Sequence, residues 1–326
     1  MHTWVAAALV AAVCTLNPSL ALAQRFDFER SFPAPGLSKL DASTVRGKIE
    51  IVAGEPGRVV VTGTATVRVG WDVPANAVDL ARQVAAAPPI EQAGATVRLR
   101  TPSDRAARQA VTVSYQVRVP PDTEVQTTSE SGATSVRGVG AAVDVRTQSG
   151  AIQLHSLAGI VTVSTGSGAV TADAIAGALA VSTASSSITG IGIGSSLRIR
   201  TQSGEVNAAL TGNGDVDVET GSSAIRLRGV RGGLTAKTQS GRIAVQGAPG
   251  REWIATTGSS SVEMDVDAGA AFSIDATSRS GSVAVDGSSV TGPATKRDVK
   301  GTVNGGGPLV RIASGSGSIR VLVGAQ

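Results

Sequence analysis

"VDVRTQSGAIQLHSLAGI", residues Val143–Ile160, decides how this chain folds. Val143, Val145, Thr147 and Ser149 alternate onto one face, and Asp144, Arg146 and Gln148 onto the other. After Gly150 a second alternating piece begins with Ile152 and Leu154, and a turn at Gly159 closes the unit. Period-two patterning in short runs punctuated by glycine means strands. The unit then recurs as "VTVSTGSGAVTADAIAGA", "LAVSTASSSITGIGIGSS" and "LRIRTQSGEVNAALTGNGD". Aligned on the serine of "TQSG", the register runs Ser131, Ser149, Ser167, Ser185, Ser203, Ser222, Ser240 and Ser259, with steps of 18 or 19 residues. Looser matches follow at Ser280 and Ser316. A fixed period near this length marks a repeat architecture.

Two short strands per unit cannot bury a core as an isolated hairpin. They can form the coils of a solenoid, each coil one strand spacing above the last. The expected fold is all-β: a parallel β-solenoid with 18–19 residues per coil and one short N-terminal helix. About ten coils give a rod of roughly 45 Å. Val143, Val161, Leu179, Leu197, Val216, Leu234, Trp253 and Phe272 are expected to stack inside it. Thr147 and Ser149 are in phase with that stack, so both hydroxyls are expected at an inner corner, bonded to backbone groups the turn leaves unpaired. The following glycine is expected to let the chain turn sharply.

The composition agrees with a solenoid. Hydrophobic residues make up 41% of the 326 residues but aromatics only 2%, so the core must be Val, Ile, Leu and Ala. Forty glycines supply the turns. A net charge of +4 over this length does not indicate nucleic acid, and none is expected as a partner.

The chain divides into three parts. Residues 1–23 carry an apolar stretch from Trp4 to Val13 and a small-x-small site, Ala21-Leu22-Ala23, before Gln24. This is the grammar of a cleaved export signal. The apolar stretch is shorter than the roughly 20 residues a membrane span needs. The sequence therefore predicts an exported protein, periplasmic or secreted, with no membrane span in its mature chain. Cys14, the only cysteine, lies in that segment in a context unlike a lipoprotein signal. Residues 24–122 read as irregular β rungs with a helix near 76–87, where Ala77, Leu80, Ala81 and Val84 have helical spacing before Pro88 and Pro89. That helix is expected to pack on the solenoid or cover its open end. Residues 123–326 read as the regular solenoid, broken by an insertion near 287–309 that is expected to project as a loop.

"SYQVRVPPDTEV" feeding into "VDVRTQSGAIQL", the serial "T-x-S-G" rungs and "VKGTVNGGGPLVRIASGSGSIRV" together resemble the bacterial DUF4097 family. That family is also described as adhesin-type or toastrack domains and includes LiaG-like envelope-stress proteins. The resemblance implies a right-handed β-solenoid and, in some members, a role in adhesion or envelope stress. It supplies no catalytic residue to carry over.

Catalytic readings find little footing. A Ser-His-Asp triad needs a histidine, and after residue 23 only His155 remains, at a position held in other coils by Asp173, Arg228 and Gln246. One histidine and no cysteine make no usual zinc site, and no cofactor is expected. Glu263, Asp265, Asp267, Asp275 and Asp286 are the best acidic group for a polysaccharide-acting enzyme, but no aromatic platform accompanies them. "GNGD" at Gly212–Asp215 occurs once, unlike serial calcium repeats. Outward threonines are too irregular for an ice-binding array. On the first strand, Arg198 and Arg200 fall one coil from Asp217 and Glu219, and Glu219 one coil from Lys237, as compensating pairs.

The reading is thus a non-enzymatic, exported, adhesin-like binding or scaffold module of the bacterial cell envelope. The alternatives are an accessory protein of envelope-stress sensing and a polysaccharide-acting solenoid enzyme. The candidate ligand site is a polyanion patch of Arg226, Arg228, Arg231 and Arg242. Its expected partner is an acidic envelope polymer, or another envelope protein.

Overall fold

The computed structural model describes residues 24–34, 39–70 and 73–325. Residues 1–23, on which the export reading rests, lie outside the described residues. The chain is a β-solenoid whose described residues form a 14-stranded and a 15-stranded sheet. Two strands of the first and three of the second lie beyond the coils, leaving twelve coils that each contribute one strand to each sheet. At the usual strand spacing the coils span about 50 Å.

The regular coils keep an unbroken parallel register. Val143 pairs with Val161, Val161 with Leu179, Leu179 with Leu197, Leu197 with Val216, Val216 with Leu234, and Leu234 with Trp253. All of these side chains are buried. Ile152, Val170, Ile188, Val206, Ile225, Ile243 and Val262 form the matching column of the other sheet. Each fully buried side chain of this kind contributes about 1.5–3 kcal/mol of transfer free energy. The indole of Trp253, fully buried, donates to the Gly232 carbonyl at 2.9 Å.

Both ends depart from sequence order. Phe272 does not stack on Trp253. The strand Leu309–Ser314 inserts between Trp253–Thr257 and Phe272–Ser278, so Val310 pairs with Trp253 on one side and Ile274 on the other. Ile319–Ala325 likewise lies between Val262–Asp267 and Val283–Asp286. The chain skips one coil and returns to fill it. The segment 287–309 does not project as a loop. Its strand Asp298–Val303 runs antiparallel along the outer edge of Phe272–Ser278, with Val299 and Val303 buried. This pairs a strand edge that would otherwise invite aggregation. The N-terminal end mirrors the arrangement: Lys39–Thr44 lies between Thr96–Leu99 and Glu124–Ser129, and Ile49–Ala53 between Val111–Val119 and Thr134–Arg137. Beyond that end coil the rungs expected over 24–122 become antiparallel edge strands. Arg58–Val67 pairs with Val111–Val119, and Arg25–Pro33 with Arg58–Val67.

Helix α1 covers Ala77–Ala86 and packs its buried Ala77, Ala81 and Val84 beside the strand Arg58–Val67. A second helix, α2, spans Arg105–Ala110 and was not expected. Asp104 caps it, its carboxylate accepting the Ala107 amide at 2.7 Å.

Candidate binding surface

The "T-x-S-G" corners place their residues differently from the expectation. Thr147, Thr165, Thr183, Thr201, Thr220, Thr238 and Thr257 are buried. Ser149, Ser167, Ser203 and Ser240 are exposed. Two residues make the turn, which resets the alternation, so the fourth residue rather than the third points inward. Where that residue is glycine, its amide donates to the threonine hydroxyl oxygen at 3.0 Å, as from Gly150 to Thr147, Gly168 to Thr165, Gly204 to Thr201 and Gly241 to Thr238. These glycines do not have left-handed backbones. They are needed for close approach: a Cβ on Gly204 would lie 1.7 Å from the Ser186 carbonyl oxygen. In the coils where serine replaces the glycine, the corner rewires. Thr183 bonds the Ser186 hydroxyl at 2.9 Å, Thr257 donates to the Gly241 carbonyl at 3.0 Å, and the Thr220 hydroxyl has no partner among the described residues.

The left-handed positions belong to the other corner, at Gly138, Ser156, Ala174, Gly192 and Gly229, with φ of 73°, 54°, 54°, 67° and 71°.

The serines therefore form an exposed ladder along one edge of the rod. Beside it a groove of about 880 Å³ runs across successive coils, from Ser164 and Ser182 through Arg200 and Gln202 to Glu219, Ser222 and Gln239. Its charges are internally paired. Arg200 grips Asp217 through two bonds of 2.9 and 2.6 Å and reaches Glu219 at 3.3 Å, while Arg198 lies 3.4 Å from Asp217. The Arg200 hydrogen bond holds the Asp217 carboxyl below its ordinary range.

Of the four arginines of the candidate patch, all exposed, two are paired: Arg226 with Glu205 and Arg242 with Glu263. Arg226 is level with Ala244, and Arg242 sits in the corner before the strand Ile243–Gly247. Among the described residues, Arg228 and Arg231 have no acidic partner. Arg228 lies level with Ala209 on the sheet, and Arg231 lines a surface hollow with Arg251 and Asn213. The sequence missed Glu205 and Glu263 as partners, although their spacing of 21 residues from Arg226 and Arg242 is one coil plus a diagonal step.

His155 Nδ1 lies 2.9 Å from Asp173 in an exposed pair. Among the described residues no cluster of His, Cys, Asp and Glu has the geometry to hold a metal ion. No helix among them is long and apolar enough to cross a membrane.

The family model described as "Toastrack DUF4097" matches residues 116–322. No curated protein matches this sequence. Two solved structures are similar to it. One, titled a "putative cell adhesion protein" from Clostridium sporogenes ATCC 15579, is 11% identical, covers 92% of this chain and 99% of its own, and superposes with a TM-score of 0.19. The other, titled a "putative adhesin" from Bacteroides fragilis NCTC 9343, is 12% identical, covers 90% of this chain and 96% of its own, and has a TM-score of 0.32. The chain belongs to the Toastrack DUF4097 family, whose model matches more than half of it.

Proposed function

We propose that this family member is exported and serves as a non-enzymatic, adhesin-like binding or scaffold module of the cell envelope. The observation that carries the reading is the outer surface of the rod. Coils in strict register hold a serine ladder and a groove along one edge, and the groove presents the exposed hydroxyl and amide side chains of Ser164, Ser182, Gln202 and Gln239 at successive coils. Residues 1–23 support export by their apolar run and small-x-small site. Cosedimentation of residues 24–326 with envelope fragments from the source cell tests the proposal. Saturable retention is expected, and a protein that stays in the supernatant would overturn it.

A second reading rests on Arg228 and Arg231. Both are exposed and lack an acidic partner among the described residues. They are the part of the arginine patch available to an acidic envelope polymer, which would bind by charge and be released by salt.

A further inference from the structure

We infer that the groove beside the serine ladder is a binding track for an extended, uncharged glycan, laid parallel to the rod axis with about one sugar unit per coil. The inference rests on the binding-module reading and deepens it. Its first support is shape. The lining residues come from the strands Val161–Thr165, Leu179–Thr183, Leu197–Thr201 and Val216–Thr220 and from Gln239 in the following coil. The groove is therefore long and crosses five coils, about 20 Å. Its repeat is the strand spacing, close to the length of one pyranose unit in an extended β-1,4-linked chain.

The second support is the state of the polar groups. Ser164, Ser182, Gln202 and Gln239 are exposed, and among the described residues their side chains have no hydrogen-bond partner. They offer donors and acceptors at successive coils, which suits a ligand with hydroxyls at every unit. The third is charge. Arg200 and Glu219 face each other in the groove, and Asp217 takes up the rest of the guanidinium. An acidic polymer would have to compete with those carboxylates, whereas a neutral one leaves them in place.

A peptide is the weaker occupant. The backbone under the groove is paired within its sheet, from Val163–Val181 through Ile199–Val218, so no free strand edge is offered there. Without aromatic platforms, affinity must come from hydrogen bonds summed over units, so binding should be weak for short oligomers and strengthen with length.

The test is NMR titration of residues 24–326 with cellobiose, cellohexaose, chitohexaose and an Ala-Ser hexapeptide. The variant S164A/S182A/Q202A/Q239A changes only exposed side chains and should keep its Tm. Millimolar binding of at least one hexasaccharide is expected, with shifts centred on Ser182 and Gln202 and weaker binding of the disaccharide. The variant should lose about tenfold in affinity, as the loss of one or two net hydrogen bonds does. Absence of shifts with both hexasaccharides, equal shifts in the variant, or a stronger response of the same residues to the peptide would overturn the inference. If the parent cosediments with envelopes yet ignores both hexasaccharides, the glycan track falls and the module reading stands. If it does neither, both fall.

Discussion

The hydroxyl oxygen of Thr201 accepts the amide hydrogen of Gly204 at 3.0 Å inside the corner of its coil. One coil further along, Thr220 occupies the same column, but Ser223 replaces the glycine and the Thr220 hydroxyl has no partner among the described residues. The same residue type is thus a hydrogen-bond acceptor in one coil and a buried orphan in the next. Thr201→Val should cost about 1–3 kcal/mol, because it strands a buried amide. Thr220→Val should be neutral or stabilising, because it removes a polar group that is already unpaired. Urea denaturation of the two variants measures the contrast, and equal losses would contradict it.

The exposed serines should be nearly silent in the same assay. Ser203→Ala should change stability by no more than about 0.5 kcal/mol. Gly204→Ala should be far worse, because its Cβ would meet a carbonyl oxygen 1.7 Å away and the corner must shift. A large cost for Ser203→Ala would show that the serine, not the glycine, faces inward.

This corner shows where sequence pattern stops being informative. Period-two alternation placed Val143 and Val145 inside and identified the coil, because those positions lie within a strand. It carried Ser149 inside as well, because alternation counts residues and cannot see a turn that resets the phase. The interleaved ends were hidden for a related reason. Coil Leu309–Ser314 has the pattern of any other coil, and pattern does not say which neighbour it joins. The edge strand Asp298–Val303 is a single antiparallel piece with no coil period, so it looked like an insertion. The capped helix α2 has one legible signal, the N-cap residue Asp104, but its six residues are too few to show a helical period. Ion pairing of Arg226 and Arg242 was not legible, since it depends on diagonal reach between long side chains.

Ser156 and Ala174 sit in left-handed conformations with φ of 54° each, in a column where Gly138, Gly192 and Gly229 do the same. Left-handed geometry costs a non-glycine residue about 1–2 kcal/mol. Ala174→Gly should therefore raise the Tm, with part of the gain offset by the greater freedom of glycine in the unfolded chain. A lower Tm would contradict the backbone assignment.

Tyr115 is the only tyrosine in the chain, so its ionisation can be followed alone by ultraviolet absorbance. It is 2% exposed, and its hydroxyl donates to the Arg100 carbonyl at 2.8 Å. Burial pushes its pKa well above the ordinary value of 10. A raised folded pKa means that the associated stability is complete below the unfolded pKa of about 10 and is lost as pH rises through the folded value. Phenolate should appear only with alkaline unfolding. A reversible titration near pH 10 in folded protein would contradict this.

Asp217 gives the acid limb. Its carboxyl is held low chiefly by the Arg200 hydrogen bond. Its contribution is present above the ordinary carboxylate pKa of about 4 and is lost as pH falls through the lower folded value. The Tm difference between the parent and Asp217→Asn should be largest at neutral pH and shrink in acid. Because the pair is partly exposed, the difference should stay small. A difference that is independent of pH would contradict the assignment.

The arginine patch separates into two pairs. Arg228→Ser with Arg231→Ser should weaken retention on heparin, because these guanidiniums have no carboxylate partner among the described residues. Arg226→Ser with Arg242→Ser should have less effect, since each substitution frees Glu205 or Glu263 as well as removing a cation. Equal retention of all three proteins would leave the patch as ordinary solvated charge.

Thiol labelling at the ladder tests the binding account most directly. Ser222 lies on the exposed ladder and lines the groove, and residues 24–326 contain no cysteine of their own. In Ser222→Cys, a maleimide should react rapidly with the free protein and much more slowly when saturating envelope fragments have sedimented it. Unchanged labelling of the sedimented protein would contradict the claim that this edge of the rod is the binding surface.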